Sequence, residues 1–567
     1  MGFGQYNATS PFYKVSRVFA AHLVLSGDMV GCEDLTRCFC LFFMRWIFRP
    51  SVLVLVSVAL VLGAAVLVLI PMWEDNRVIK PIPLGVGDDE REIVWLYAAT
   101  SATPWERFVA GAGQAVKRLN EDGACSTIEI DDSGAFPRET ATTPQFTVKL
   151  NGRGRLLFRW YKLTSNSTTP QWVDALMHRR PPPLAIIGGS SSDLAIELAK
   201  TLREQTDKYP EIAPPIILLT AATADRTLSN DGLEAKFINE IHAGRTFRFC
   251  FTNRQMAEAI TDFIWGRDEL RPDPGPIYVS MWKDDAYSLD LTDRFFEALK
   301  NHLPSEPGAL ENLPIPEYVD YSVGGFDQPN RWEEPVVRQL MDTKLSGQNA
   351  NQKRPLLVLP GASSQPMRRF LRGLMRTAPD EARKFVVATG DGLSFNTVYR
   401  DRDVLWPIQD LPFNLVLFCH RNPVEPGAGF RAEEEVSSGN PNRGSPATGT
   451  EDLLLNRDIV EALAFAANEE GGLPANGDAL AHRFQQARWK EGRIGLGGDY
   501  PFLFDEKGNR SSGTGEHVVW IRPSITASRV EPRARIEVFT PNTIEGKGWQ
   551  LVGNPLEVGY ELSKSGK

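Results

Sequence analysis

The sequence lacks the common signatures of catalysis, metal binding and nucleic-acid binding. Its 567 residues include six cysteines, none in a CxxC pair, and seven scattered histidines, so no metal site is predicted. The net charge of −9 gives no sign of the basic surface that binding to nucleic acid requires. GxSxG, HExxH and Walker A motifs are also missing. We therefore expect no cofactor and no enzymatic activity.

Charge is absent from one run of twenty residues, Ser51–Ile70. A helix of ~20 apolar residues spans the hydrocarbon core of a bilayer. Trp46 and Trp73 stand at the two ends of the run, where interfacial aromatic residues are common. A buried core helix is the alternative, but such helices are seldom so uniformly apolar. The run is therefore predicted to cross the membrane and to contact the lipid bilayer.

The charges beside this run predict its orientation. Arg45 and Arg49 precede it, whereas Glu74 and Asp75 follow it. By the positive-inside rule, the N-terminus is expected in the cytoplasm and the larger part outside the cell (inner) membrane, which the chain crosses once. The predicted segments are a cytoplasmic part (1–50), a transmembrane helix (51–71) and a tether (72–91).

Beyond the tether, short apolar runs alternate with amphipathic segments. Examples of the apolar runs are Ile93–Ala98, Leu184–Ile187, Ile216–Leu219 and Phe385–Thr389. Strands that alternate with helices indicate parallel sheets covered by helices. Residues 131–153 are predicted to be an insertion or a hairpin, and Pro501–Val552 a β-rich tail. The expected fold class is α/β.

Two of these strands end in small hydroxyl residues. Leu184–Ile187 is followed by two glycines and the serines 190–192, and Ile216–Leu219 leads into TAATA. Ligands of parallel α/β sheets bind at the carboxyl ends of the strands, and anions bind at the helix N-termini that follow. The pattern predicts a small-molecule site, with capping of the following helix as the alternative role of the serines.

Several segments resemble one family in order and spacing. They are IIGGSSSDLA, PPIILLTAATADRTL, RTFRFCFTNRQMAEAITDFI, PIYVSMWKDDAYSLDL and PFLFDEKGNR. The chain from Glu92 to Val552 resembles the type I periplasmic binding proteins, in particular the branched-chain amino-acid-binding type of solute receptor. The resemblance implies two Rossmann-like lobes that are joined by three crossing strands and close on a ligand. Lobe 1 would comprise 92–252 and 422–490, and lobe 2 would comprise 253–421 and 491–560.

The resemblance also implies ligand contacts in lobe 1. Ser190, Ser191 and Ser192 stand where the family's serine contacts a ligand carboxylate. Ala221 and Thr223 stand where its Ala-x-Thr offers a carbonyl and a hydroxyl group.

Three further residues complete the candidate site. Tyr287 matches the family's tyrosine in lobe 2, where a ring or a hydroxyl group meets the ligand. Asp391 falls where an acidic residue pairs with the ligand's amino group, although a turn aspartate is an equal alternative. Trp105 is expected either in the cleft of lobe 1 or in the core. A second family tyrosine falls near Ala362, so part of the usual pocket lining is absent.

The expected function is that of a membrane-anchored solute-binding protein. It would capture an amino acid or a similar small polar ligand and deliver it to the permease of an ABC importer. The alternative is a ligand sensor of the same fold that signals through a membrane partner. The sequence leaves open whether Cys125, Cys250 and Cys419 form any disulfide bond.

Overall fold

The structure is a computed structural model that describes much of the chain beyond residue 79. The described residues are 80–98, 100, 102–121, 127–226, 237–272, 277–281, 285–302, 317–320, 354–361, 367, 370–371, 373–375, 379–393, 412–423, 451–468, 472–486, 504–511, 515–524, 533–542 and 548–559.

The chain divides into two compact units, Met1–Ile79 and Lys80–Lys567. The predicted span Ser51–Ile70 belongs to the first unit and lies outside the described residues, so it stays a prediction. Within the described ranges, no helix combines the length and the apolar character that a membrane crossing needs.

Nine helices occur in the described part of the second unit. They are α1 (Thr103–Glu121), α2 (Thr169–His178), α3 (Ser192–Lys208), α4 (Ile238–Ile241), α5 (Asn253–Trp265), α6 (Ala286–Asn301), α7 (Pro379–Ala382), α8 (Glu451–Asn468) and α9 (Gly477–Gln486).

The first sheet is mainly parallel. Its described strands are β1 (Glu90–Ala98), β2 (Ile128–Asp131), β3 (Gln145–Leu150), β4 (Gly154–Leu163), β5 (Ala185–Ile187), β6 (Ile216–Leu219) and β7 (Thr246–Arg248). Their order across the sheet is β2-β3-β4-β1-β5-β6-β7. Strands β4, β1, β5, β6 and β7 are parallel, whereas β2 and β3 add an antiparallel edge. The expected hairpin within 131–153 is therefore part of this sheet.

Both faces of the first sheet are buried because its side chains alternate between two cores. Ile93 and Trp95 of β1 pack into a core shared with α1, α8 and α9. Val94 and Leu96 point to the opposite face and pack with α2, α3 and α4. The near-continuous apolar sequence of β1 is typical of a strand covered on both sides.

The second sheet combines parallel strands with an antiparallel extension. Its described strands are β8 (Ile277–Met281), β9 (Glu317–Asp320), β10 (Leu356–Val358), β11 (Val386–Thr389), β12 (Asn414–Cys419), β13 (His517–Ser524), β14 (Arg533–Pro541), β15 (Trp549–Leu551) and β16 (Leu556–Gly559). Strands β9, β8, β10, β11 and β12 are parallel. Strands β13 to β16 are antiparallel and form the β-rich tail that the sequence predicts. Helices α5 and α6 cover one face of this sheet. We call the first sheet with its helices the first layer system, and the second sheet with its helices the second layer system.

The described residues show three passages of the chain between the two layer systems. The first crossing, residues 249–252, joins β7 to α5. The second begins at His420, after β12, and leads to α8, which packs on α1. The third begins at Arg510 and leads into β13. Two sheets in a mixed α/β fold agree with the expected fold class.

One segment before β13 contacts the first sheet. Gly508 accepts a hydrogen bond from the Arg248 N–H at 2.8 Å. Phe504 also packs on Phe247 of β7, with ring centroids 5.2 Å apart. The described residues 504–510 therefore contact the first sheet. Aromatic packing against β7 is the physical reason.

Two glycines of α1 provide a test of how α8 packs. A Cβ at Gly111 would lie 2.6 Å from the Leu453 carbonyl oxygen of α8, whereas a Cβ at Gly113 would have no atom of the described residues within 4 Å. We expect Gly111→Ala to lower the free energy of unfolding by about 1–3 kcal/mol because overpacking forces the helices apart. Gly113→Ala should raise it by about 0.5–1 kcal/mol through helix propensity. Urea unfolding measures both changes, and equal effects would contradict this packing.

Candidate functional site

The turn after β5 requires glycine. Gly189 has a φ of +68°, and a Cβ there would lie 2.6 Å from the Cβ of Ala195. Glycine adopts this left-handed conformation without strain. The turn allows α3 to begin directly after the strand, so that its N-terminus faces the carboxyl end of the sheet.

The three serines at this turn differ in their surroundings. Ser191 caps α3, since its hydroxyl oxygen accepts a hydrogen bond from the Leu194 N–H at 3.4 Å. Ser192 is buried, and its hydroxyl oxygen accepts from the Ala224 N–H at 3.2 Å. Ser190 is exposed. The hydroxyl group of Ser191 thus serves as a helix cap, and that of Ser192 supports the loop after β6. The side chain of Ser190 is open to solvent.

The loop after β6 is held by hydrogen bonds that its backbone accepts from other segments. The Thr223 carbonyl oxygen accepts from the Asn253 N–H at 2.8 Å and from the Arg248 guanidinium at 3.1 Å. Thr223 is fully buried, and among the described residues its hydroxyl oxygen has no hydrogen-bond partner. Ala221 is half-buried. The loop ties the first sheet to the start of α5 in the second layer system.

On the other side, Tyr287 and Asp391 are in direct contact. The Tyr287 hydroxyl group donates to Asp391 Oδ1 at 2.5 Å and accepts from the Gly392 N–H at 3.2 Å. A Cβ at Gly390 would lie 2.7 Å from the tyrosine oxygen, so glycine allows this approach. His420 Nε2 lies 2.9 Å from the other carboxylate oxygen, Asp391 Oδ2.

These contacts keep Asp391 ionised. Burial acts to raise its pKa, but the hydrogen bonds from His420 and Tyr287 outweigh burial and lower the pKa below its ordinary value. Burial and the negative charge of Asp391 raise the pKa of Tyr287 well above its ordinary value, so the hydroxyl group stays protonated. The side chain of Asp391 is 18% exposed, so it is largely but not wholly buried.

A second carboxyl group adjoins this cluster. Glu451 begins α8, and its Oε2 accepts a hydrogen bond from the His420 N–H at 3.2 Å. Burial raises the pKa of Glu451 to about 7, while the neighbouring His420 opposes this shift. Near neutral pH this group is therefore partly protonated.

The N-termini of α3 and α6 bring the two halves of the site together. Ala286, at the start of α6, packs in the same core as Ala195 in the first turns of α3, and its backbone lowers the pKa of the nearby Asp193 carboxyl group. Burial and the neighbouring Asp285 carboxylate raise the pKa of Asp193. Because Ser190 precedes α3 and Tyr287 lies in the first turn of α6, this contact makes the two half-sites neighbours.

Trp105 lies in the core and not in a cleft. It is 1% exposed, and its indole N–H donates to the Ala135 carbonyl at 2.9 Å. Its ring packs with those of Trp95 and Trp160. The core alternative is therefore the one that the structure supports, because α1 turns this side chain toward the sheet.

His420, Glu451 and Asp193 were missed by sequence reasoning. His420 directly follows the apolar run of β12, as Asp391 follows that of β11, so the same strand-end criterion could have found it. Glu451 comes next to it only through the chain's return to α8, and local sequence carries no signal for that contact.

The cysteines and possible metal ligands give no further site. Cys250 and Cys419 are buried, and Cys125 lies outside the described residues. No group of three or more potential metal ligands occurs where the structure describes the chain.

Comparison with known proteins gives similarity to solved structures only. No family model matches the chain, and no curated protein matches it. An ABC transporter substrate-binding protein from Desulfitobacterium hafniense is 16% identical, with a TM-score of 0.45 over 78% of this chain and 98% of that one. A leucine-, isoleucine-, valine-, threonine- and alanine-binding protein from Brucella ovis is 13% identical, with a TM-score of 0.46 over 83% and 95%. Similarity at this level assigns neither a family nor a ligand.

Removing the Tyr287 hydroxyl group tests the electrostatics of Asp391. Tyr287→Phe should lower the free energy of unfolding by about 1.5–3 kcal/mol at pH 7, because a hydrogen bond to a charged group is lost. The folded-state pKa of Asp391 lies below its ordinary value of 3.8, so the loss should be constant above about pH 5 and shrink as the pH falls through the folded-state pKa.

Tyr278→Phe is the matched control for this measurement. The buried Tyr278 hydroxyl group has no hydrogen-bond partner among the described residues, so its removal should cost little stability. Chemical unfolding at a series of pH values measures both variants. Equal losses at every pH would contradict the role of the Tyr287–Asp391 bond.

Proposed function

We propose that this protein is a solute-binding protein that holds an amino acid or a similar small polar ligand between its two layer systems. The packing of the start of α6 against the start of α3 carries this proposal. It supports the view that Ser190 and the Tyr287–Asp391 pair act on one ligand. The site offers recognition groups and, among the described residues, no paired nucleophile and base, which favours binding over catalysis.

The two half-sites suit opposite charges on the ligand. Backbone N–H groups and the Ser190 hydroxyl group at the start of α3 would bind an anionic group, since a helix N-terminus attracts negative charge. Asp391 would bind a cationic group, because its lowered pKa keeps it ionised.

A ligand that contacts both half-sites would stabilise the closed state, in which the half-sites lie close together. A ligand shifts a conformational equilibrium only by its difference in affinity for the two states. An anionic and a cationic group on one molecule supply that difference, because the open state offers only one half-site at a time. Ligand capture is thus coupled to closure.

The proposed setting is the outer side of the cell membrane. The run Ser51–Ile70 would anchor the protein in the lipid bilayer, with delivery of the ligand to the permease of an ABC importer. We expect the full-length protein to remain in the membrane fraction after alkaline carbonate washing. Release of the chain into the supernatant would contradict the anchor without affecting the binding site.

Binding can be tested with two aspartate variants. Mass spectrometry of small molecules released from the natively purified full-length protein identifies the ligand, and calorimetry then measures its affinity. Asp391→Asn should weaken the binding about 10- to 100-fold, because a charge-assisted hydrogen bond to the ligand is lost. Asp207→Asn, at the exposed far end of α3, should leave the affinity unchanged. Unchanged affinity of Asp391→Asn would contradict the cationic subsite.

A further inference from the structure

His420 has partners on each of the three crossings that the described residues show. It is 3% exposed and directly follows β12. Its ring nitrogen Nδ1 accepts from the Phe251 N–H of the first crossing at 3.0 Å. Its carbonyl oxygen accepts from the Arg510 guanidinium of the third crossing at 3.2 Å. His420 itself begins the second crossing, so one residue joins all three.

The same residue also contacts the candidate site. Nε2 lies 2.9 Å from Asp391 Oδ2, and the His420 N–H donates to Glu451 Oε2 at 3.2 Å. The imidazole ring therefore links the carboxylate of the candidate site to the backbone of the first crossing. Arg510 reinforces the arrangement by donating a second hydrogen bond, to the Phe249 carbonyl, at 3.3 Å.

The contacts determine the tautomer of His420. Because the Phe251 backbone N–H is a donor, Nδ1 must be the unprotonated nitrogen. The proton then sits on Nε2 and is donated to Asp391 Oδ2. A planar ring that accepts at one nitrogen and donates at the other transmits a displacement, since it cannot follow Asp391 without pulling on Phe251.

We propose that His420 is a positioning residue that couples the charge of the Asp391 subsite to the hinge formed by the three crossings. Neutralising or engaging Asp391 loosens the bond to Nε2, the ring loses its fixed orientation, and the Phe251 N–H loses its acceptor. This inference deepens the proposed function, on which its biological meaning depends, but the coupling itself exists in the ligand-free protein.

The test is a double-mutant cycle in the full-length, ligand-free protein. Asn offers one acceptor oxygen to the two donors that Asp391 satisfies, the Tyr287 hydroxyl group and His420 Nε2. We expect Asp391→Asn to speed hydrogen exchange in peptides covering 249–253 about tenfold, the scale of a lost charge-assisted hydrogen bond. Exchange in peptides covering 216–219, in β6 of the first sheet, should stay unchanged.

Repeating Asp391→Asn in proteins that lack His420 separates coupling through His420 from a merely structural role of Asp391. In His420→Asn, the side-chain oxygen of Asn can still accept from the Phe251 N–H but does not reach Asp391. In that background, Asp391→Asn should leave the exchange of 249–253 unchanged. His420→Gln provides a second background, since Gln reaches Asp391 but does not accept from Phe251, and Asp391→Asn should again have no effect on exchange.

Three results would overturn the proposal. They are an unchanged exchange rate at 249–253 in Asp391→Asn, an equal acceleration with and without His420, and an equal acceleration at 216–219. His242→Gln is the control for loss of a buried histidine, since the His242 ring contacts the Pro215 carbonyl away from the crossings. In that background the effect of Asp391→Asn should persist. An effect of Asp391→Asn on exchange that depends on His420, in a protein that binds no amino acid, would contradict the proposed function alone. Amino-acid binding without that effect would contradict this inference alone.

Discussion

The carboxylate of Asp391 is the group on which the arrangement of the site depends. A buried charge is costly unless donors surround it, and here two side chains from different parts of the chain supply them. Tyr287 comes from α6, and His420 comes from the second crossing. Because the Asp391 carboxylate needs these hydrogen bonds, α6, the end of β11 and the second crossing are fixed relative to one another.

The crossings are stabilised by further buried polar groups. The fully buried Arg421 lies 3.4 Å from Asp458 of α8, and the charges of Arg457 and Glu461 adjoin this pair. Breaking a buried ion pair leaves an uncompensated charge, which is strongly destabilising. This requirement ties α8 to the second crossing, so that the chain's return to the first layer system is set by charge as well as by apolar packing.

The sequence predicted the features that depend on local pattern. Apolar runs followed by small residues located β5, β6 and β11, because a buried parallel strand and its terminal turn both leave short-range signals. The same local logic led to Ser191, which caps α3. Trp105 was ambiguous because a helical aromatic residue near a strand end suits both a cleft and a core.

Features that depend on distant contacts could not be predicted. His420 and Phe251 are 169 positions apart, and only the folded topology makes them neighbours. The packing of residues 504–510 on β7 likewise depends on how the third crossing approaches the first sheet. Ser51–Ile70 lies outside the described residues, so its membrane role rests on its composition alone.

The central claim is that one ligand engages both layer systems at once. Hydrogen exchange of the full-length protein, with and without the ligand recovered from it, tests this claim most directly. The account predicts slower exchange at both 188–194 and 389–393 when the ligand is bound. Protection confined to one of these segments, or protection at neither, would contradict a ligand held between the two layer systems.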